Sequence, residues 1–166
     1  MNRLFRFLAW PALAVLLLAG CGFHARGNYR LPDTLGAVYI EVPGYDYDLR
    51  HRLQLALGSR GVRLVEDATA ADAVLRITNP SFASRVLAVG IDGRVRENEL
   101  RYTLGFELRR RDGSVLVPRQ SVELLRDVTY DEYNVLGSQS EQSAGRIELQ
   151  DEAVQQIMRR LTARLG

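Results

Sequence analysis

One side chain carries chemistry that its neighbours make specific. Leu18-Ala19-Gly20-Cys21 closes an apolar run, and Cys21 is the only cysteine in the chain. A thiol in that setting can be alkylated by a diacylglycerol, and the small residues before it let the backbone enter a peptidase cleft. Together they form a bacterial lipobox. Met1 to Arg6 is short and basic, and Phe7 to Leu18 is apolar apart from Pro11. That run is too short to span a bilayer comfortably and has the length of a signal-peptide core. Residues 1–20 are therefore predicted to be a lipoprotein signal peptide, with lipidated Cys21 as the first residue of the mature chain. Each buried acyl methylene contributes about 0.8 kcal/mol, so several chains anchor a protein without a transmembrane helix. Residue 22 is Gly, not the Asp that commonly retains Gram-negative lipoproteins at the inner membrane, which points to the outer membrane.

The other reactive residue types do not converge. His24 and His51 are the only histidines, and neither has a Cys or His at metal-ligand spacing, so no metal site is expected. His24 falls in a Gly- and Pro-containing stretch and His51 among arginines on an amphipathic segment, where a solvated ring is the simpler reading. There is no nucleophile elbow, phosphate-binding glycine loop or dinucleotide fingerprint. The acids from Asp127 to Glu132 lack EF-hand spacing. The chain is read as a protein that is not an enzyme and needs no cofactor.

Charge narrows the partners. Arg3 and Arg6 leave with the leader, so of 22 basic residues 20 remain, matched by 20 Asp and Glu. A near-neutral body argues against a nucleic-acid binder. Every cation is Arg, a fork that pairs with phosphate or carboxylate through two hydrogen bonds. Arg94, Arg96 and Arg101, followed by Arg109-Arg110-Arg111, are candidates for a basic patch suited to a phosphorylated amphiphile. The alternative is a solvated face balanced by Glu97, Glu99 and Glu107. The loop from Tyr130 to Gly137 offers Tyr130, Tyr133 and Leu136 as partner contacts, or as side chains packed under their own helix.

The elements that would hold these residues follow from periodicity. Residues 21–36, with Gly22, Gly27, Pro32 and Gly36, read as a lipidated tether. Residues 37–166 then form a single domain. Ala37 to Val42 is a strand ended by Pro43-Gly44. Asp46 or Asp48 caps a helix with Leu49, Leu53, Ala56 and Leu57 on one face. Val62 to Val65 is a second strand, which after one helix favours parallel pairing with the first. Ala73 to Thr78 is a third, with a bend or edge at Asn79-Pro80. Asp92-Gly93 and Asp112-Gly113 mark hairpin turns. Between them Tyr102, Leu104, Phe106 and Leu108 alternate with Arg101, Thr103, Gly105, Glu107 and Arg109, the pattern of a sheet covered on one side. From about Ser138 a helix shows an apolar stripe of Ile147, Val154, Ile157, Met158, Leu161 and Leu165. The fold class expected is α+β, a two-layer sandwich with two helices on one face of a mostly antiparallel four-stranded sheet.

These residues resemble a known family. Cys21-Gly22-Phe23-His24-Ala25-Arg26-Gly27 with Leu31-Pro32 is similar to the mature start of the LptE family of lipopolysaccharide-assembly lipoproteins. Gly61-Val62, Glu99-Leu100-Arg101-Tyr102, Gly113 with Pro118, and the closing helix from Ala153 to Leu161 extend the resemblance along nearly the whole mature chain. It implies a non-enzymatic outer-membrane lipoprotein on the periplasmic side. Such a protein plugs the LptD β-barrel, supports barrel assembly, and binds lipopolysaccharide during delivery to the outer leaflet. A mixed-charge, arginine-rich body suits the polar lumen of a large barrel. The family's lipid-binding positions are basic, and residues 137–140 hold no cation, so the lipopolysaccharide-binding candidates are Arg94, Arg96 and Arg101. An envelope lipoprotein of another class, such as a cell-wall synthase activator or transport accessory, is the alternative.

Overall fold

A computed structural model describes residues 31–44, 46–129 and 135–166. The elements are β1 (Ala37–Glu41), α1 (Tyr47–Gly58), β2 (Arg63–Leu64), β3 (Ala73–Val89), β4 (Val95–Arg110), β5 (Val115–Thr129) and α2 (Val135–Leu165), with single 3-10 turns at Asp33–Leu35 and Ala68–Ala70. The sheet order is β2-β1-β3-β4-β5. β1 pairs in parallel with β2 and β3, and the β3–β4 and β4–β5 pairs are antiparallel. The two-layer α+β arrangement is as expected, but the sheet has five strands, not four. The extra member is β2, only two residues long and hydrogen-bonded beside β1 at the edge.

Alternation along β4 sets the layers. Leu100, Tyr102, Leu104, Phe106 and Leu108 are all buried, and their register partners Ile77, Leu75 and Val122 carry the same face across the sheet. Burying a side chain of this size contributes about 1.5–3 kcal/mol. α1 adds Leu49, Leu53, Ala56 and Leu57 at helical spacing, with the Asp46 carboxylate accepting from the Leu49 N–H at 3.1 Å as its cap. α2 adds Leu149, Ala153, Val154, Ile157, Met158 and Leu161. Ile147, expected in that stripe, is half exposed, and the place in the stripe one turn before Leu149 is taken by Gly145. A Cβ on Gly145 would lie 2.5 Å from Leu100 Cδ1, so the missing side chain lets α2 approach β4. An Arg52–Asp151 ion pair ties the two helices together.

Within the segment read as tether, Leu31 and Leu35 are buried in the core, so packing begins before Ala37. At Asn79-Pro80 both expectations hold. Asn79 has φ +49, and the β3–β4 register shifts between Thr78 and Ser81. β1 pairs with β3 only as far as Arg76, which leaves the rest of β3 as an edge able to accept a proline. A second shift lies around Pro118 in β5, where Arg160 of α2 donates to the Ser121 carbonyl at 2.7 Å.

One buried group is poorly satisfied. The Tyr102 hydroxyl makes no hydrogen bond of good geometry, although the buried Gln150 side chain faces it. Burial, helped by the charge of Asp46, pushes its pKa up to about 12, against opposing effects of Gln150 and Arg146. The folded state thus holds the phenol protonated where the unfolded chain ionises, so its contribution is complete below the ordinary phenol value and is lost as pH rises toward 12. Tyr102→Phe is expected to raise stability by roughly 1 kcal/mol at neutral pH, because it removes an unsatisfied buried hydroxyl. It should also flatten the decline above pH 10. Urea denaturation of both proteins at neutral and alkaline pH measures the two effects.

Candidate functional site

The face opposite the helices is open, and charge organises it. Residues of β4 with odd numbers project there, and two of the acids among them, Glu99 and Glu107, are held by arginine. Glu99, almost buried, accepts from Arg85 Nε at 2.7 Å. Glu107 lies between Arg109 at 3.2 Å and Arg76 at 3.7 Å, and Arg76 Nε also reaches Glu41 at 2.7 Å. The Glu41 contacts, and then Glu107, raise the Arg76 pKa further. Arg101 pairs with Glu123 at 3.2 Å. Gly105 lies beneath a cross-strand contact in which Arg119 donates to Thr78 Oγ1 at 3.1 Å, and a Cβ there would lie 2.5 Å from that oxygen. The result is a ladder of mixed charge in which both signs are spread over the surface.

The far end of the β3–β4 hairpin is different. The turn closes through Gly93 N–H to the Gly90 carbonyl at 2.9 Å, with Gly93 at φ +75. Val86, Leu87, Val89 and Ile91 are all exposed there, the densest run of exposed apolar side chains among the described residues. Beside them Arg96 pairs with Asp92 at 2.8 Å, and Arg94 approaches the same carboxylate at 4.0 Å. One acid thus serves two guanidiniums at the tip. α2 reaches this half of the hairpin as well: the Arg146 guanidinium stacks over the Phe82 ring, 5.5 Å from its centre.

The three arginines singled out in the sequence all lie in the distal half of the hairpin, but they divide between its faces. Arg96 shares the strand parity of Leu100 and Tyr102, and Arg101 that of Glu99 and Thr103. Arg94 lies in the turn region just before β4. Cys21, Tyr130 and Tyr133 lie outside the described residues, and Leu136 falls in the first turn of α2, where its side chain is also outside them. His51 is exposed on α1. The apolar tip was not singled out beforehand. Its signal is the loss of alternation from Val86 to Val89, four apolar residues in a row where a one-sided strand should alternate.

No helix among the described residues is long and apolar enough to cross a membrane. Two solved bacterial lipoproteins are similar in fold. The solution structure of lipoprotein B from Nitrosomonas europaea is similar at TM-score 0.70 and 28% identity, covering 86% of this chain and 91% of that one. The minor lipoprotein from Acinetobacter baumannii is similar at TM-score 0.65 and 26% identity, covering 78% and 92%. The LPS-assembly lipoprotein LptE of Pectobacterium atrosepticum is 30% identical over an alignment of 166 residues, covering 96% of this chain and 85% of that protein. The family model for LptE, lipopolysaccharide-assembly, matches residues 35–161. The chain belongs to the LptE family of lipopolysaccharide-assembly lipoproteins.

The buried Glu99 carboxylate is held by Arg85, the one cation recorded against it among the described residues. Replacing Arg85 by Ala leaves that charge shielded from water without a partner, so the thermal midpoint is expected to fall. Arg85→Lys should recover part of the loss through the charge alone. Differential scanning calorimetry of the two variants against the parent checks this. Equal midpoints in all three would show the pair to be ornamental.

Proposed function

We propose that the mature chain, lipidated at Cys21 after removal of residues 1–20, sits on the periplasmic side of the outer membrane. There it acts as a non-catalytic plug for the LptD β-barrel and binds lipopolysaccharide during its delivery to the outer leaflet. Residues 21–36 link the lipid to the single domain. The observation that carries this reading is the family match across residues 35–161, which spans the whole helix-covered sheet. A body whose open face carries Arg–Glu pairs along its middle suits a polar barrel lumen, since paired charges exchange partners at little cost.

Lipopolysaccharide binding is assigned to the hairpin end. An amphiphile with phosphates on its sugars needs cations beside an apolar surface. Arg94 and Arg96 stand next to Val89 and Ile91, with Arg101 farther along the same strand. Tyr130, Tyr133 and Leu136 remain the proposed barrel contacts, at the junction between β5 and α2.

Purification of the lipidated protein from outer membrane in mild detergent is expected to bring down a large β-barrel. A peptidoglycan-synthesising enzyme in its place would favour an envelope lipoprotein of another class. Changing Arg94, Arg96 and Arg101 together to Ser should weaken lipopolysaccharide binding about ten-fold or more, from the loss of charge-assisted hydrogen bonds, with the circular dichroism spectrum unchanged. Undiminished binding by the triple variant removes the hairpin end as the site.

A further inference from the structure

A second cationic site lies at the opposite end of β4 from the hairpin tip. A concavity of about 220 Å³ on the open face is lined by Ala68, Ala71 and Val74 on one side and by Arg76, Glu107 and Arg109 to Arg111 on the other. Its walls are fixed. The Arg111 N–H donates to the Asp72 carbonyl at 2.9 Å, which joins the β4–β5 turn to the segment before β3. The turn itself is closed by Arg110 N–H to the Ser114 carbonyl at 2.9 Å and Gly113 N–H to the Arg110 carbonyl at 3.0 Å. Asp112 is engaged within that turn, accepting from the Ser114 N–H at 2.8 Å, and the Ser114 contacts keep its carboxyl below the usual range.

The charges here are unequal. Glu107, the one acid in the lining, is nearly buried and held between Arg76 and Arg109. Arg110 and Arg111 are exposed and form no ion pair within 4.0 Å among the described residues. A guanidinium offers five donors, and one carboxylate cannot occupy those of four arginines. The site therefore has unused cationic donors at its rim and a fixed carboxylate in its floor.

We propose that this concavity binds a phosphorylated sugar, with Arg110 and Arg111 taking the phosphate and the Glu107 carboxylate accepting from a ring hydroxyl. Two forked cations match the tetrahedral anion. A carboxylate in the same site would repel a bare phosphate but pairs well with a neutral hydroxyl. The volume is below the roughly 300–1,000 Å³ of sites for drug-sized ligands and fits one ring with its substituent rather than an acyl chain. The site is separate from the hairpin end and does not depend on its role. The ligand chemistry is shared by a free sugar phosphate and by the phosphorylated saccharide of a glycolipid.

The test is a titration of the isotope-labelled mature chain, followed by amide resonances, with glucose 1-phosphate, glucose and inorganic phosphate. Glucose 1-phosphate is expected to shift the amides of residues 68–71 and 107–111 and to bind more tightly than either fragment. Arg110→Ser with Arg111→Ser, both on an exposed turn, should weaken binding read at these amides about ten-fold or more. Deacylated lipopolysaccharide competing for the same amides marks the glycolipid as the source, and failure to compete marks a free sugar phosphate. The assignment is overturned if glucose 1-phosphate shifts none of these amides, if inorganic phosphate binds as tightly, or if the turn variant binds as well as the parent.

Discussion

Everything in this domain follows from the fact that β4 must satisfy two environments at once. Its even-numbered residues face the helices and are apolar without exception from Leu100 to Leu108. Its odd-numbered residues face away, and a strand with neighbours on both sides cannot turn them toward water at will. Charges on that face must be neutralised where they stand, which is why Glu99 and Glu107 each sit against arginine at hydrogen-bond distance. A slip of one residue would place four charged or polar side chains under the helices and five large apolar ones outside, so the register has no close competitor.

The same constraint explains how the molecule offers several surfaces from a single sheet. The helix-covered half is spent on the core. The open half carries paired charges along its middle, which make it wettable and adaptable. The two ends of β4 then stand apart from this middle. At one end a shared acid and bare apolar side chains flank Arg94 and Arg96. At the other, Arg110 and Arg111 line a concavity. A domain belonging to a lipopolysaccharide-assembly family thus carries its cations at both ends of one long strand, separated by a neutral middle.

Much of this was legible before any coordinates. The alternation from Arg101 to Arg109 gave the one-sided sheet, the two Asp-Gly pairs gave the hairpin turns, and the leucine spacing after Asp46 gave the first helix with its cap. The strand count was not legible, because Arg63–Leu64 is too short to carry periodicity and is defined by its pairing with β1. Ile147 misled for a related reason: it fits the helical stripe on paper, but the close approach at Gly145 decides which side of the helix meets Leu100. Among the candidate residues, sequence identified the arginines but not their sharing between faces, which the pleat settles. The concavity could not be read at all, since it brings residues near 70 against residues near 110 through the root of the β3–β4 ladder and the backbone hydrogen bond that extends it.

The bulge at Asn79-Pro80 has a mechanical meaning. Where β1 stops, β3 loses its second neighbour, and the hairpin projects from the sheet as a cantilever clamped at its root. A force applied at Ile91 is carried back through the ladders of β4 and β5 and through the Arg146–Phe82 stack, not through the parallel strands. The parallel half of the sheet, with α1 behind it, is thereby insulated from whatever seizes the tip. A load at that end need not loosen the core that keeps the domain folded.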